Sequence, residues 1–155
     1  MIEARALIER TRTLPADLED AWALLTDVPR WGVLFPHVTS VEPYPDEPGA
    51  FIWRMEPLGP PGGRVRVVYA CRYHADPDTH TLSWTPVEGV GTGRFEGRCA
   101  LEDAGGETRG TVVMDALLEI PAPGFMRGVV APLVQAEMGR MTDTFLVRLA
   151  DALRL

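Results

Sequence analysis

The sequence has no lysine and no asparagine; isoleucine stands only at 2, 8, 52 and 120, serine only at 40 and 83, and cysteine only at 71 and 99. Lysine, asparagine and isoleucine have AT-rich codons, so their scarcity points to a GC-rich coding sequence. The fifteen arginines that carry all of the basic charge are explained by the same bias and are weak evidence of recognition. The two serines leave little for nucleophilic catalysis, since neither stands in a GxSxG elbow. Cys71 and Cys99 match neither CxxC nor a zinc spacing and lie in strand-like runs. They are expected to be small core residues, unbridged in a reducing compartment. No uncharged apolar run approaches the ~18 residues of a membrane span. The opening MIEARALIER is broken by Glu3, Arg5, Glu9 and Arg10, where a signal peptide needs a continuous apolar core. A cytoplasmic location is expected. The net charge of −7 withholds the basic footprint that nucleic acid or an anionic membrane surface requires, leaving an uncharged or cationic partner.

What is present suits one globular domain, 1–155, with 46% apolar and 24% charged residues around a single core. Residues 2–14 alternate loosely and predict a strand. A helix follows: Pro15 suits its start, Asp17, Glu19 and Asp20 complement its positive end, and Leu18, Ala21, Trp22 and Leu25 repeat at helical spacing. Pro29 stops or re-aims it, and 29–37 predicts a second short helix. SVEPYPDEPGA reads as an edge strand, because its prolines would break a central ladder. Between 50 and 120, AFIWRMEPLG, GRVRVVYACRYHA, THTLSWTPVEG, GTGRFEGRCALED and ETRGTVVMDALLEI are separated by GPPGG, DPDT, EGVG and DAGGE. Five strands joined by short turns predict a meandering antiparallel sheet. Alternation turns Val65, Val67, Tyr69, Cys71 and Tyr73 away from Arg64, Arg66, Arg72 and His74. It likewise turns Gly91, Gly93, Phe95, Gly97, Cys99 and Leu101 away from Arg94, Glu96, Arg98 and Glu102. From 123 to 154, Met126, Val130, Leu133, Val134, Met138, Met141, Phe145, Leu149 and Leu153 recur at spacings of three and four. This predicts a long amphipathic helix, bent or restarted near Pro132, that covers the inner face of the sheet.

Few residues carry chemistry. His74, Asp76, Asp78 and His80 alternate in HADPDTH as metal ligands would, but Asp-Pro-Asp-Thr is turn chemistry and the hairpin reading is preferred. GVGTG lacks the GxGxxG spacing and no helix follows it, so glycines that permit curvature or a bulge are preferred to a phosphate loop. Alternation points Cys71 and His74 to opposite faces, which removes a thiol–imidazole pair. Asp115, in VVMDALLEI, shares its face with Val113, Leu117 and Glu119, so the solvent side is favoured over a buried carboxyl of raised pKa. Arg54 is expected to be exposed for the same reason.

The order strand, helix, short helix, six strands, long helix, together with PADLEDAWALLTDVPRWGVLFPHVTSVE, resembles the START-like or Bet v 1-like (SRPBCC) superfamily. The likeness is to its polyketide cyclase/dehydrase-like branch and coenzyme-Q-binding relatives. It is carried by Pro15, Trp22, Asp27, Trp31, Phe35, Pro36 and the run Val38 to Glu42. The resemblance implies an α+β helix-grip fold: a curved antiparallel β-sheet wrapped around a long C-terminal helix, two short helices after the first strand, and a cavity between sheet and helix. It places Trp31 and Phe35 at the cavity mouth. A gate and a core plug are equally open for Trp31, and core is preferred for Phe35. The superfamily hosts carriers, enzymes and chaperone cofactors alike, so fold alone does not settle function.

The residues then favour an apolar cluster over a catalytic constellation. Trp53, Tyr69, Trp84, Phe95, Met114, Met126, Val130, Met138 and Met141, with Trp31 and Phe35, are the candidate lining, close-packed core being the plain alternative for each. Methionine adapts to irregular shapes, which suits a variable apolar guest. The leading expectation is a binding or transport protein for a hydrophobic small molecule such as a lipid, isoprenoid or aromatic metabolite, as monomer or homodimer, with no catalytic set, metal or cofactor implied. A cyclase/dehydratase-like enzyme would need Tyr69, Tyr73, His80 or Arg54 to face inward. A protein-interaction module would use the outer arginines, including Arg64, Arg66 and Arg72, and enclose no cavity.

Overall fold

The computed structural model describes residues 1–57 and 66–154. The expected turn GPPGG and the residues Arg64 and Val65 lie outside the described residues. The elements are β1 (Ile2–Leu14), α1 (Leu18–Leu25), α2 (Val28–Gly32), β2 (Val38–Pro43), β3 (Ala50–Met55), β4 (Val68–Asp76), β5 (Thr81–Pro86), β6 (Gly93–Asp103), β7 (Thr108–Ile120) and α3 (Arg127–Ala152), the last preceded by a 3-10 turn at Gly124–Met126. The strands form one antiparallel sheet in the order β1-β7-β6-β5-β4-β3-β2. With α3 against its inner face, this is the helix-grip α+β fold.

Local chemistry sets the boundaries. Asp17 caps α1, its carboxylate accepting the Asp20 N–H at 2.9 Å, and Pro29 sits in the first turn of α2, where a missing N–H costs nothing. The second helix is shorter than expected, ending at Gly32 rather than running to 37. The close approach of α2 to the sheet depends on Gly32, since a Cβ there would meet Trp53 and Val41 at 2.9 Å. Along β1 buried and exposed residues alternate from Ile2 to Glu9, and β7 buries Val112, Met114, Ala116 and Leu118 while Val113, Asp115 and Leu117 face outward. Gly91 belongs to the turn before β6, not to the strand.

The two sheet edges are protected differently. β2 ends at Pro43 and shifts register between Val38 and Ser40, devices that blunt an edge. At β1, the Gln135 side chain of α3 accepts the Leu7 N–H at 2.9 Å and donates to the Leu7 carbonyl at 2.8 Å. Further along the same helix, Arg10 pairs with Asp143 at 2.7 Å. The helix runs unbroken through Pro132, where a bend or restart was expected. Its buried residues begin at Met138 and continue through Met141, Phe145, Leu146 and Leu149. Val134 still packs against the core, whereas the turns before it extend past the packed interior, with Val129 and Leu133 about 60% exposed. Helical spacing marks the correct face, but only the docked helix shows that full burial along that face begins at Met138.

Candidate functional site: an apolar cavity

Between the inner face of the sheet and α3 lies a cavity of about 40 Å³ whose walls are almost wholly apolar. Of the eleven residues expected to line it, Trp31, Phe35, Trp53, Tyr69, Trp84, Phe95, Met114, Met138 and Met141 do so. Met126 and Val130 do not. Met126 sits in the 3-10 turn with over a third of its surface exposed, and Val130 is half-buried on the part of α3 that precedes the docked segment. The wall also includes Leu25, Val38, Met55, Cys71, Tyr73, Cys99, Val112 and Phe145. Cys71 and Tyr73 share the face of Tyr69 on β4, and Phe145 follows Met141 by one helical turn, so periodicity carried their signal. Leu25 and Val38 come from separate elements and had none.

The aromatic rings are organised around Trp31. Its ring centroid lies 5.4 to 6.4 Å from those of Trp53, Phe145, Tyr73, Phe35 and Trp84. Phe35 stacks on Phe145 at 4.1 Å with planes 6° apart, and Tyr69 stacks on Phe95 at 4.0 Å and on Trp53 at 5.6 Å. Trp31 is 4% exposed and Phe35 half-buried. Both pack as core and line the cavity at once, so a plug and a wall are the same object here. Gly97 of β6 makes room for this arrangement: a Cβ there would come within 2.2 Å of the Val113 carbonyl oxygen and 3.0 Å of the Trp84 ring.

The polar groups within this shell are few. Burial pushes the Tyr69 hydroxyl well above the ordinary tyrosine range, and the nearby Cys71 adds to the rise. Burial also raises Tyr73, reinforced by Cys71 and Tyr69 and opposed by the indole N–H of Trp53, which lies beside it outside hydrogen-bond geometry. Both thiols are pushed up to about 12 by burial, and the Cys71 Sγ–H donates to the Phe95 carbonyl at 3.3 Å. Among the described residues the lining holds no carboxylate, imidazole or guanidinium. A general acid or base works best with a pKa near the operating pH, and none of these groups has one. The indole N–H groups of Trp31 and Trp53 are buried without a hydrogen-bond partner among the described residues. An orphaned buried donor costs roughly 1–3 kcal/mol.

The other candidate residues lie elsewhere. His74, Asp76, Asp78 and His80 belong to the β4–β5 hairpin, in which the Asp76 carboxylate accepts the Asp78 N–H at 3.0 Å and His80 reaches Glu19 at 3.3 Å. No group of three or more potential ligands that could hold a metal occurs among the described residues. Arg54 is exposed and pairs with Glu42 at 3.3 Å. Asp115 is on the outer face, where two hydrogen bonds from Arg5, at 3.0 and 2.6 Å, hold its carboxyl below the ordinary range. No helix among the described residues is long and apolar enough to cross a membrane.

Solved structures of the same fold are numerous. A protein of Thermus thermophilus superposes with a TM-score of 0.73 at 23% identity, covering 97% of this chain and 95% of its own. The Zhui aromatase/cyclase of a Streptomyces species gives 0.70 at 17% identity over 96% and 93% of the two chains. A START superfamily protein of Mycobacterium smegmatis gives 0.70 at 15% identity over 95% and 96%. At these identities the likeness establishes the fold. No curated protein matches the chain in sequence. The family model described as "Polyketide cyclase / dehydrase and lipid transport" matches residues 5–154, so the chain belongs to that family, within the START/Bet v 1 (SRPBCC) superfamily.

Proposed function

We propose that this protein binds an uncharged hydrophobic small molecule, of the lipid, isoprenoid or aromatic class, in the cavity between the sheet and α3. The observation that carries this reading is an apolar, aromatic-rich wall, drawn from α1, α2, strands β2 to β7 and α3, closing on a space that side chains leave unfilled. The space of about 40 Å³ would take a few waters at roughly 10–15 Å³ each, and is small beside the roughly 300–1,000 Å³ of a drug-sized site. Uptake therefore requires the wall to yield. Met138 and Met141, on the buried face of α3, and the half-buried Phe35 are the side chains suited to it. Buried, unbridged Cys71 and Cys99 suit a reducing compartment such as the cytoplasm.

Native mass spectrometry of the purified protein, followed by organic extraction, tests this directly. A stoichiometric apolar guest, displaced in Met138→Glu variants that keep their near-UV circular dichroism, is the expected result. A reproducibly empty protein that also refuses a broad panel of apolar ligands would sink the reading. A cyclase/dehydratase-like activity is the second reading, favoured by the inward Tyr69 and Tyr73 and by likeness to an aromatase/cyclase. With pKa values held well above 10, these hydroxyls would orient a poly-keto chain as neutral donors rather than exchange protons near neutrality. Unchanged turnover of such substrates in Tyr69→Phe and Tyr73→Phe variants would remove it.

A further inference from the structure

The part of α3 that precedes the packed interior carries apolar side chains into water. Phe125, in the 3-10 turn, and Val129 and Leu133, about one and two helical turns further on, are 87%, 60% and 62% exposed. Met126 beside them is 37% exposed. At Gly124 and Gly128 an added Cβ would meet nothing within 4 Å among the described residues, so the backbone is uncovered there as well. Between Glu119 and Glu137 the sequence has a single charge, Arg127. A contiguous apolar surface of this kind, on a helix that is apolar where it should be polar, marks a contact with a partner.

We infer that a second copy of this chain covers the stripe, in an antiparallel two-fold pairing centred on Val129 that sets Phe125 of each copy against Leu133 of the other. Spacing, charge and area favour this occupant. A two-fold interface is complementary to itself, and Phe125 and Leu133, each four residues from Val129, exchange places under such a rotation. Rows of residues four apart are also the ridges by which helices most often pack. Two copies with a net charge of −7 each repel one another, and the stretch without carboxylates is where they can approach closely. The same net charge opposes an anionic bilayer, which Arg127 alone would answer. With roughly 200 Å² for a phenylalanine, the four side chains offer about 500 Å² per copy at these exposures. The roughly 1,000 Å² covered in the pair stands at the lower limit of a specific interface, which suits a weak, reversible dimer.

Sedimentation velocity of the full chain from about 5 to about 500 µM tests the pairing, with one chain expected at the low end and two at the high end. Phe125→Arg and Leu133→Glu, both at exposed positions, are each expected to weaken association about 10-fold or more, because each sets an unpaired charge against an apolar side chain. The variant carrying both changes is expected to recover association. Its opposite charges meet across the two-fold, whereas eight residues apart on one helix they are not neighbours. Near-UV circular dichroism verifies the fold, and Val129→Glu, which opposes two like charges at the axis, takes the place of a variant that does not fold. A dimer indifferent to the single changes, or a double variant as weak as the single ones, overturns the inference. So does a protein that stays monomeric throughout; if it floats with phosphatidylcholine vesicles instead, the stripe belongs to a lipid surface.

Discussion

Replacing Gly97 with alanine tests whether the cavity is shaped by the sheet's backbone. The added methyl would stand 2.2 Å from the Val113 carbonyl oxygen, 3.0 Å from Trp84 Cζ2 and 3.1 Å from Met114 Cα, whereas a relaxed C···O contact is about 3.3–3.6 Å. About 1 Å of movement is needed, and the nearest atom is backbone on β7, paired with β6 across Gly97↔Met114 and Arg98↔Val113. It cannot rotate away as a side chain would. Overpacking costs about 1–3 kcal/mol, and a ladder hydrogen bond weakened beside it adds about 1 kcal/mol. Alanine returns up to about 1 kcal/mol of backbone entropy, so the expected net loss is about 1–3 kcal/mol. For a chain of this size that lowers Tm by about 2–12 °C. Urea denaturation followed by tryptophan fluorescence reads the loss, with an unchanged m value showing that the denatured state is unaffected. Gly128→Ala on α3, where nothing lies within 4 Å of the added Cβ, is the control and should be neutral or slightly stabilising. A Gly97→Ala protein within about 0.5 kcal/mol of wild type would refute the claim that β6 and β7 are held together through this glycine.

The remaining predictions concern charge and packing. The folded pKa of each thiol lies above its unfolded value, so that stability is complete below about 9 and declines as pH rises toward about 12, the unfolded chain losing its protons first; Cys99→Ala should shallow the alkaline limb of a pH series of urea midpoints. Neither thiol should react with iodoacetamide at pH 8 until the protein is unfolded, and rapid native labelling would contradict the burial. Asp115 has the opposite sign: its lowered pKa contributes stability above the ordinary carboxylate value of about 3.9 that is lost as pH falls through the folded value. Asp115→Asn should therefore flatten the acid limb, and an unaltered limb would count against the Arg5 pairing. Trp31→Ala, which removes the ring on which five others converge, should cost about 3–5 kcal/mol, measured by the same urea titration.

The sequence by itself determined the order of elements and the inner face of the strands, because burial on one side of a sheet writes a period of two and a docked helix a period near four. Tyr69, Trp84, Phe95 and Met114 were legible as inward on that ground, and so was the solvent side for Asp115 and Arg54. Its order of motifs also carried the family. Tertiary structure alone decided three matters. Only the docking of α3 on the sheet shows that its full burial starts at Met138, which leaves Met126 and Val130 outside a lining their spacing suggested. Only the convergence of separate elements brings Leu25 and Val38 onto the wall, since no local period links them to the rest of the lining. Only packing leaves the buried indole N–H groups of Trp31 and Trp53 without a hydrogen bond among the described residues, because hydrogen bonding depends on angles and distances that residue type leaves open.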